Sequence, residues 1–224
     1  MRRCAAGGDG TVARYEPGRG WVREFLQTSV GAVSKAPLRG VAWPEPGRAH
    51  AVGDLGAMWI WNADDDLWVL DPGAPIGFEG NLLDVAFDPA APERGYAVGR
   101  QGVLLSYGKS WEQETLPAGF EGAELTSIAF AGSQAIVAAG SDLLVNDGGA
   151  WRVDGSAAAL LDGADGPAQL FAVAALPDGG AVAAGRNVVI VRDSASSPWR
   201  YAAQPLPGST VVAAAATRPS PGGL

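Results

Sequence analysis

The sequence is poor in the residues that most catalytic chemistry draws on. One histidine, His50, and one cysteine, Cys4, occur in 224 residues. A lone cysteine forms no disulfide within the chain, and one His with one Cys cannot supply the usual zinc ligand sets. Lysine is nearly absent, at Lys35 and Lys109, and the net charge is -8. An acidic domain repels phosphate backbones, so nucleic acid is not an expected partner. No run of about 18 apolar residues exists, so no membrane-spanning helix is expected. Arg2 and Arg3 are followed by Ala5-Ala6-Gly7-Gly8-Asp9 and not by an apolar stretch, so no signal peptide is read there.

What is abundant is hydrophobic residues (47%), Gly (32), Pro (16) and Trp (8). The Gly and Pro fall between apolar runs, which reads as turns in a globular chain long enough to bury its own core. The apolar runs repeat. Ala51-Val52-Gly53 returns as Ala97-Val98-Gly99, Ala138-Ala139-Gly140 and Ala183-Ala184-Gly185, with a fifth copy at Ala5-Ala6-Gly7. The glycines are 46, 46, 41 and 45 residues apart. Ahead of the four later copies stand Val41-Ala42-Trp43, Val85-Ala86-Phe87, Ile128-Ala129-Phe130 and Val173-Ala174-Ala175. Each is preceded by a leucine: Leu38, Leu82, Leu125, Leu170. A further copy is Val212-Ala213-Ala214. Trp21, Trp68, Trp111, Trp151 and Trp199 close successive units, 40 to 48 residues apart.

Three landmarks in one order at one period near 44 predict a four-stranded unit repeated along the chain. Short apolar strands separated by Gly-rich turns predict an all-β architecture, and a β-propeller buries both faces of each sheet against its neighbours. Complete blades are expected over 38–71, 82–116, 125–154 and 170–203. Partial ones are expected over about 1–26 and 210–217, with 218–224 as a linker or tail. The partial pieces either meet and close a five-bladed ring or mark cut ends of a longer propeller, and a start inside a strand favours the second. Such a fragment would point to an extracytoplasmic protein. One helical turn is expected at most, over Ala157–Leu161.

The unit Leu82…Asp84-Val85-Ala86-Phe87…Gly95-Tyr96-Ala97-Val98-Gly99…Gly102-Val103-Leu104…Ser110-Trp111 resembles a repeat of the photosystem II stability/assembly factor family. That family is a propeller related to the bacterial neuraminidase-repeat, or Asp-box, group. Asn146-Asp147-Gly148-Gly149-Ala150-Trp151 is similar to its closing turn. The resemblance implies a propeller fold and says little of function, because such repeats serve many unrelated proteins. The Asp of the box is replaced by Glu16, Ala63, Ser106, Asn146 and Ser194. Its Gly survives as Gly18, Gly108 and Gly148 but becomes Asp65 and Ser196.

Sialidase-like hydrolysis would need an arginine triad, a Tyr–Glu pair and an acid, and no such motif is found. His50 lies in a second strand, where other units carry Tyr96 or Ile136, so it is expected to pack and not to catalyse. Asp64-Asp65-Asp66 reads as a solvated hairpin tip before it reads as a calcium site. Gly7-Gly8-Asp9-Gly10 lacks the Lys-Ser/Thr ending of a phosphate loop. No cofactor and no catalytic residue is expected. What remains is a non-catalytic scaffold for a protein or glycan partner. Its alternatives are a propeller hydrolase or lyase, and an architectural segment of a surface protein. Within the fixed frame the residues after each Ala-x-Gly vary, and these are the candidate contacts: Asp54, Arg100, Gln101, Asp142, Arg186 and Asn187. The recurring Gly-Phe-Glu-Gly loops add Phe78 and Phe120, as partner contacts or as seals of a blade junction.

Overall fold

A computed structural model of the chain describes residues 3–26, 34–45, 47–63, 66–162 and 168–202. The expected strand at 210–217 and the tail at 218–224 lie outside the described residues, as do Asp64 and Asp65. The chain divides into two compact units, Met1–Thr115 and Leu116–Leu224.

The first unit holds three antiparallel sheets. The first has three strands, β1 (Arg3–Gly7), β2 (Thr11–Glu16) and β3 (Gly20–Phe25). The second has four, β4 (Leu38–Glu45), β5 (Arg48–Gly53), β6 (Met58–Asn62) and β7 (Leu67–Leu70). The third comprises β8 (Leu82–Asp88), β9 (Ala91–Gly99), β10 (Leu104–Tyr107) and β11 (Trp111–Gln113). The second unit holds two four-stranded sheets. One is β12 (Leu125–Ala131), β13 (Gln134–Ala139), β14 (Asp142–Asn146) and β15 (Arg152–Val153). The other is β16 (Gln169–Ala175), β17 (Ala181–Arg186), β18 (Val188–Arg192) and β19 (Arg200–Tyr201). Strands in every sheet pair in sequence order, as the all-β reading of four-stranded antiparallel blades requires.

The repeated Leu and Ala-x-Gly landmarks are one device. Leu82 pairs with Gly99, and the next pair is Asp84 with Val98, so Leu83 is an extra, bulged residue. The same shift follows Leu38, Leu125 and Leu170. A β-carbon on Gly53, Gly99 or Gly185 would stand 2.1, 2.0 or 1.8 Å from the carbonyl oxygen of Pro37, Asn81 or Gln169. In these three sheets glycine is therefore required where the chain enters the first strand over the end of the second. In the sheet of β12–β15 the residue opposite Leu125 is Ala139, not Gly140. Gly140 instead takes the following turn, at φ 66°. The 41-residue interval is short for another reason: Leu125 and Ala139 are 14 residues apart, where Leu82 and Gly99 are 17.

The closing tryptophans tie neighbouring sheets together. In the first unit Trp68 donates its indole N–H to Glu24 Oε2 at 2.8 Å, and Trp111 donates to Asp71 Oδ2 at 2.9 Å. In the second, Trp199 donates to Asp154 Oδ2 at 2.9 Å. Each acceptor follows the closing Trp of its own sheet by three residues: Trp21/Glu24, Trp68/Asp71, Trp151/Asp154. A buried indole needs such an acceptor, and a carboxylate is a strong one. Trp21 is 55% exposed and meets Tyr15 edge-on.

His50 is packed, as its strand position implied. It is buried, its Nδ1 lies 3.2 Å from Asp71 Oδ2, and its ring stacks on Phe87 with centroids 4.7 Å apart. The helix exceeds the single turn expected. α1 spans Gly155–Leu161 because Asp154 caps it, its side chain accepting from the N–H groups of Ser156 and Ala157. Ala157 and Leu161 join the core of the second unit.

Candidate functional site

Three tight turns occupy equivalent places in the sheets of the first unit, between β1 and β2, β5 and β6, and β9 and β10. Thr11, Ala57 and Val103 each donate a backbone N–H to the residue three positions earlier, Gly8, Asp54 and Arg100. The central pairs Asp9-Gly10, Leu55-Gly56 and Gln101-Gly102 all have positive φ. Two left-handed central residues define the type I′ turn, whose twist suits a hairpin. Asp carries that conformation at modest cost; leucine is an unusual choice. Leu55 holds φ 56°, ψ 39° and is 74% exposed.

The loop preceding β8 anchors the second and third of these turns. Asn81 Oδ1 accepts the Leu55 N–H at 2.9 Å, and the Asn81 carbonyl accepts the Arg100 N–H at 3.0 Å. Gly56 N–H bonds to the Gly80 carbonyl at 2.8 Å. Earlier in this loop, Pro75-Ile76-Gly77-Phe78 forms a turn closed by Phe78 N–H on the Pro75 carbonyl, with Gly77 at φ 73°. Ile76 at its apex is fully exposed. Phe78 is half-buried: it packs against the cluster of Val52, Met58, Leu82 and Trp111. Its ring also covers Gly80, where a β-carbon would stand 2.5 Å from it.

Charge surrounds the apolar tips. Arg39 is the extra residue of the bulge after Leu38, and the bulge turns it toward Asp54. Its Nε and one terminal N–H group donate to the two carboxylate oxygens at 3.1 and 2.6 Å. That fork holds the Asp54 carboxyl below its ordinary range, and the charge of Arg100 adds to it. Arg100 and Gln101 stand exposed on the next turn. The first unit thus brings together Asp54, Arg100 and Gln101, with Phe78 beneath them. Arg39, Leu55, Ile76 and Asn81 were not among the sequence-derived candidates. Leu55 carried a signal, since it occupies the place of Asp9 and Gln101.

In the second unit the corresponding turns are shorter. Asp142 opens β14, its carboxylate accepting from Ser141 Oγ at 3.0 Å. Arg186 is exposed at the end of β17, and Asn187 takes a left-handed φ of 58°. Phe120 is half-buried in a turn closed by its N–H on Pro117. Asn146 replaces the expected Asp in the β14–β15 turn and does what a carboxylate there would do in part: Oδ1 accepts the Gly148 N–H at 2.7 Å. Among the described residues no three His, Cys, Asp or Glu side chains gather to hold a metal. No helix among them is long and apolar enough to cross a membrane.

No protein-family profile and no curated protein matches the chain. Solved structures do. YCF48 bound to D1 peptide is similar over 89% of this chain and 62% of its own, at TM-score 0.60 and 14% identity. YCF48 from Cyanidioschyzon merolae is similar over 74% and 56%, at TM-score 0.56 and 17% identity. U3-55K is similar over 95% and 65%, at TM-score 0.65 and 11% identity. The chain is a β-propeller fold of four-stranded antiparallel blades. It spans between 56 and 65% of the length of these structures.

Proposed function

We propose that this chain is a non-catalytic propeller scaffold that takes a protein partner, in the form of a peptide segment, on the loop surface of its first unit. The observation that carries this is Leu55. A solvent-exposed leucine in a left-handed conformation is unfavourable twice over, and such strain is kept where it serves a function. Around it lie a second exposed aliphatic tip, Ile76, and the polar groups of Asp54, Arg100 and Gln101. An apolar anchor inside a charged rim is the usual anatomy of a protein contact. The fold likeness to YCF48, solved with a D1 peptide, supports a peptide as the partner class. It also supports kinship with the photosystem II stability/assembly factor repeats. Phe78 is proposed as the support under the loop, and Asp142, Arg186, Asn187 and Phe120 as partner contacts of the second unit taken by itself.

Panning a displayed random-peptide library on the whole chain tests the reading. Enriched peptides should bind wild type and lose about tenfold in affinity on Leu55→Asp or Arg100→Ala, each a rim or anchor truncation. Peptides that bind the variants as well as wild type would place the site elsewhere.

A further inference from the structure

The second unit contains a polar cavity of about 260 Å³, lined in part by Gln134, Arg152, Asp154, Arg192, Ser196 and Ser197. None of the loop-surface candidates lines it. Arg192, the last residue of β18, is 2% exposed. A guanidinium has five N–H donors in a planar fork. One terminal nitrogen of Arg192 donates to the Ala195 carbonyl at 3.4 Å and the other to Gln134 Oε1. Its Nε has no hydrogen-bond partner. Among the described residues, the carboxylate in ion-pair range is that of Asp154, with Oδ2 at 3.6 Å. That carboxylate is already engaged. Oδ1 accepts from Ser156 N–H, Ser156 Oγ and Ala157 N–H, and Oδ2 accepts from Trp199.

A buried cation whose donors are left over is costly unless something else accepts them. Burial pushes the Arg192 guanidinium down from its ordinary value, and the fields of Asp154 and Asp147 do not restore it. A second cation, Arg152, lines the same cavity, half-exposed and paired with Asp147 at 2.6 Å. Hydroxyls of Ser196 and Ser197, which exchange bonds with Ser194 Oγ, add rotatable donors.

We infer that this cavity is a binding site for an oxyanion, carboxylate or phosphate, borne on a small molecule and held by Arg192 and Arg152 with the hydroxyls of Ser196 and Ser197. Arginine forks match both groups bidentately. The volume lies just under the range of about 300–1,000 Å³ typical of small-molecule clefts, so the oxyanion has room for a short body behind it.

Trp199 reports on the site, because Arg192 lies over its ring at 4.9 Å and its indole N–H is bound to Asp154. The whole chain, ¹⁵N-labelled, is titrated with sodium phosphate and with sodium acetate at constant ionic strength, with chloride as the control. Assignment by Trp199→Phe identifies the indole resonance. A saturable shift of Trp199 with Trp21 unmoved is expected, and the tighter of the two salts names the group. Arg192→Gln should abolish it. Because that change also removes a buried group, Arg152→Gln and the pair Ser196→Ala/Ser197→Ala are read beside it. Each should weaken binding several-fold at an unchanged melting temperature. Shifts that track chloride, equal affinity in the Arg152 and serine variants, or saturation by uncharged glucose would each overturn the assignment.

Discussion

The indole nitrogen of Trp111 and Oδ2 of Asp71 meet at 2.9 Å across two sheets, 40 residues apart in the chain. The same oxygen faces His50 Nδ1, and Oδ1 accepts the Gly73 N–H at 2.8 Å. Asp71 is therefore a junction between β5, β7 and β11. Asp71→Asn keeps its shape but offers donors where acceptors are needed. The expected loss is about 2 kcal/mol, seen as a lower thermal midpoint. Asp54→Asn, at an exposed ion pair, should cost less than about 1 kcal/mol in the same assay.

Acid should weaken the fold through the same groups. Burial alone would raise the Asp71 carboxyl, but the bonds from His50, Trp111 and Gly73 outweigh it and hold it low. Asp154 is held low in the same way against its burial, by Ser156, Trp199 and the N–H groups at the start of α1. With folded values below unfolded ones, the unfolded chain binds protons first, near about pH 4. Stability from these groups is complete above that pH and falls as the pH drops through the folded values. Urea midpoints followed downward from neutral pH should stay level and then decline, and Asp71→Asn should flatten the decline.

Glycines of the same motif should differ in what they tolerate. Gly99→Ala drives a β-carbon into the Asn81 carbonyl and should cost about 2 kcal/mol or more. Gly140→Ala meets nothing within 4 Å and bears only its left-handed φ. Its cost should be about 1 kcal/mol. Equal losses for the two in chemical denaturation would refute the bulge explanation.

Leu55→Asn separates stability from binding. Asparagine tolerates the left-handed turn better than leucine, so the melting temperature should rise, by about 0.5 kcal/mol in stability. Affinity for any peptide selected on wild type should fall at the same time.

Much of this architecture was legible in the sequence because repetition itself is a signal. The Leu, Ala-x-Gly and Trp landmarks mark where strands begin, turn and close, and the strands lie there. Gly140 misled because a glycine one residue late still completes the Ala-x-Gly pattern; only pairing shows that Ala139 stands opposite Leu125. The acid three residues after Trp21, Trp68 and Trp151 was visible but carried no meaning alone, since its partner lies 40 to 45 residues on in another sheet. Arg39 was hidden for a related reason. Its bond to Asp54 depends on a bulge, and a bulge is a property of two strands. Leu55 stood out in the sequence only by occupying the place of Asp9 and Gln101, and its strain shows in its backbone angles.

The tryptophan–carboxylate link also gives the sheet of β4–β7 two unlike sides, one that donates and one that accepts. Trp68 faces back to Glu24, while Asp71, from the same sheet, receives Trp111 from ahead. Such a sheet works as a building block with a plug on one side and a socket on the other. Copies made by gene duplication would join in the right order and orientation with no change to either neighbour. A sequence able to grow by whole sheets needs no more than a tryptophan and, three residues on, an acid.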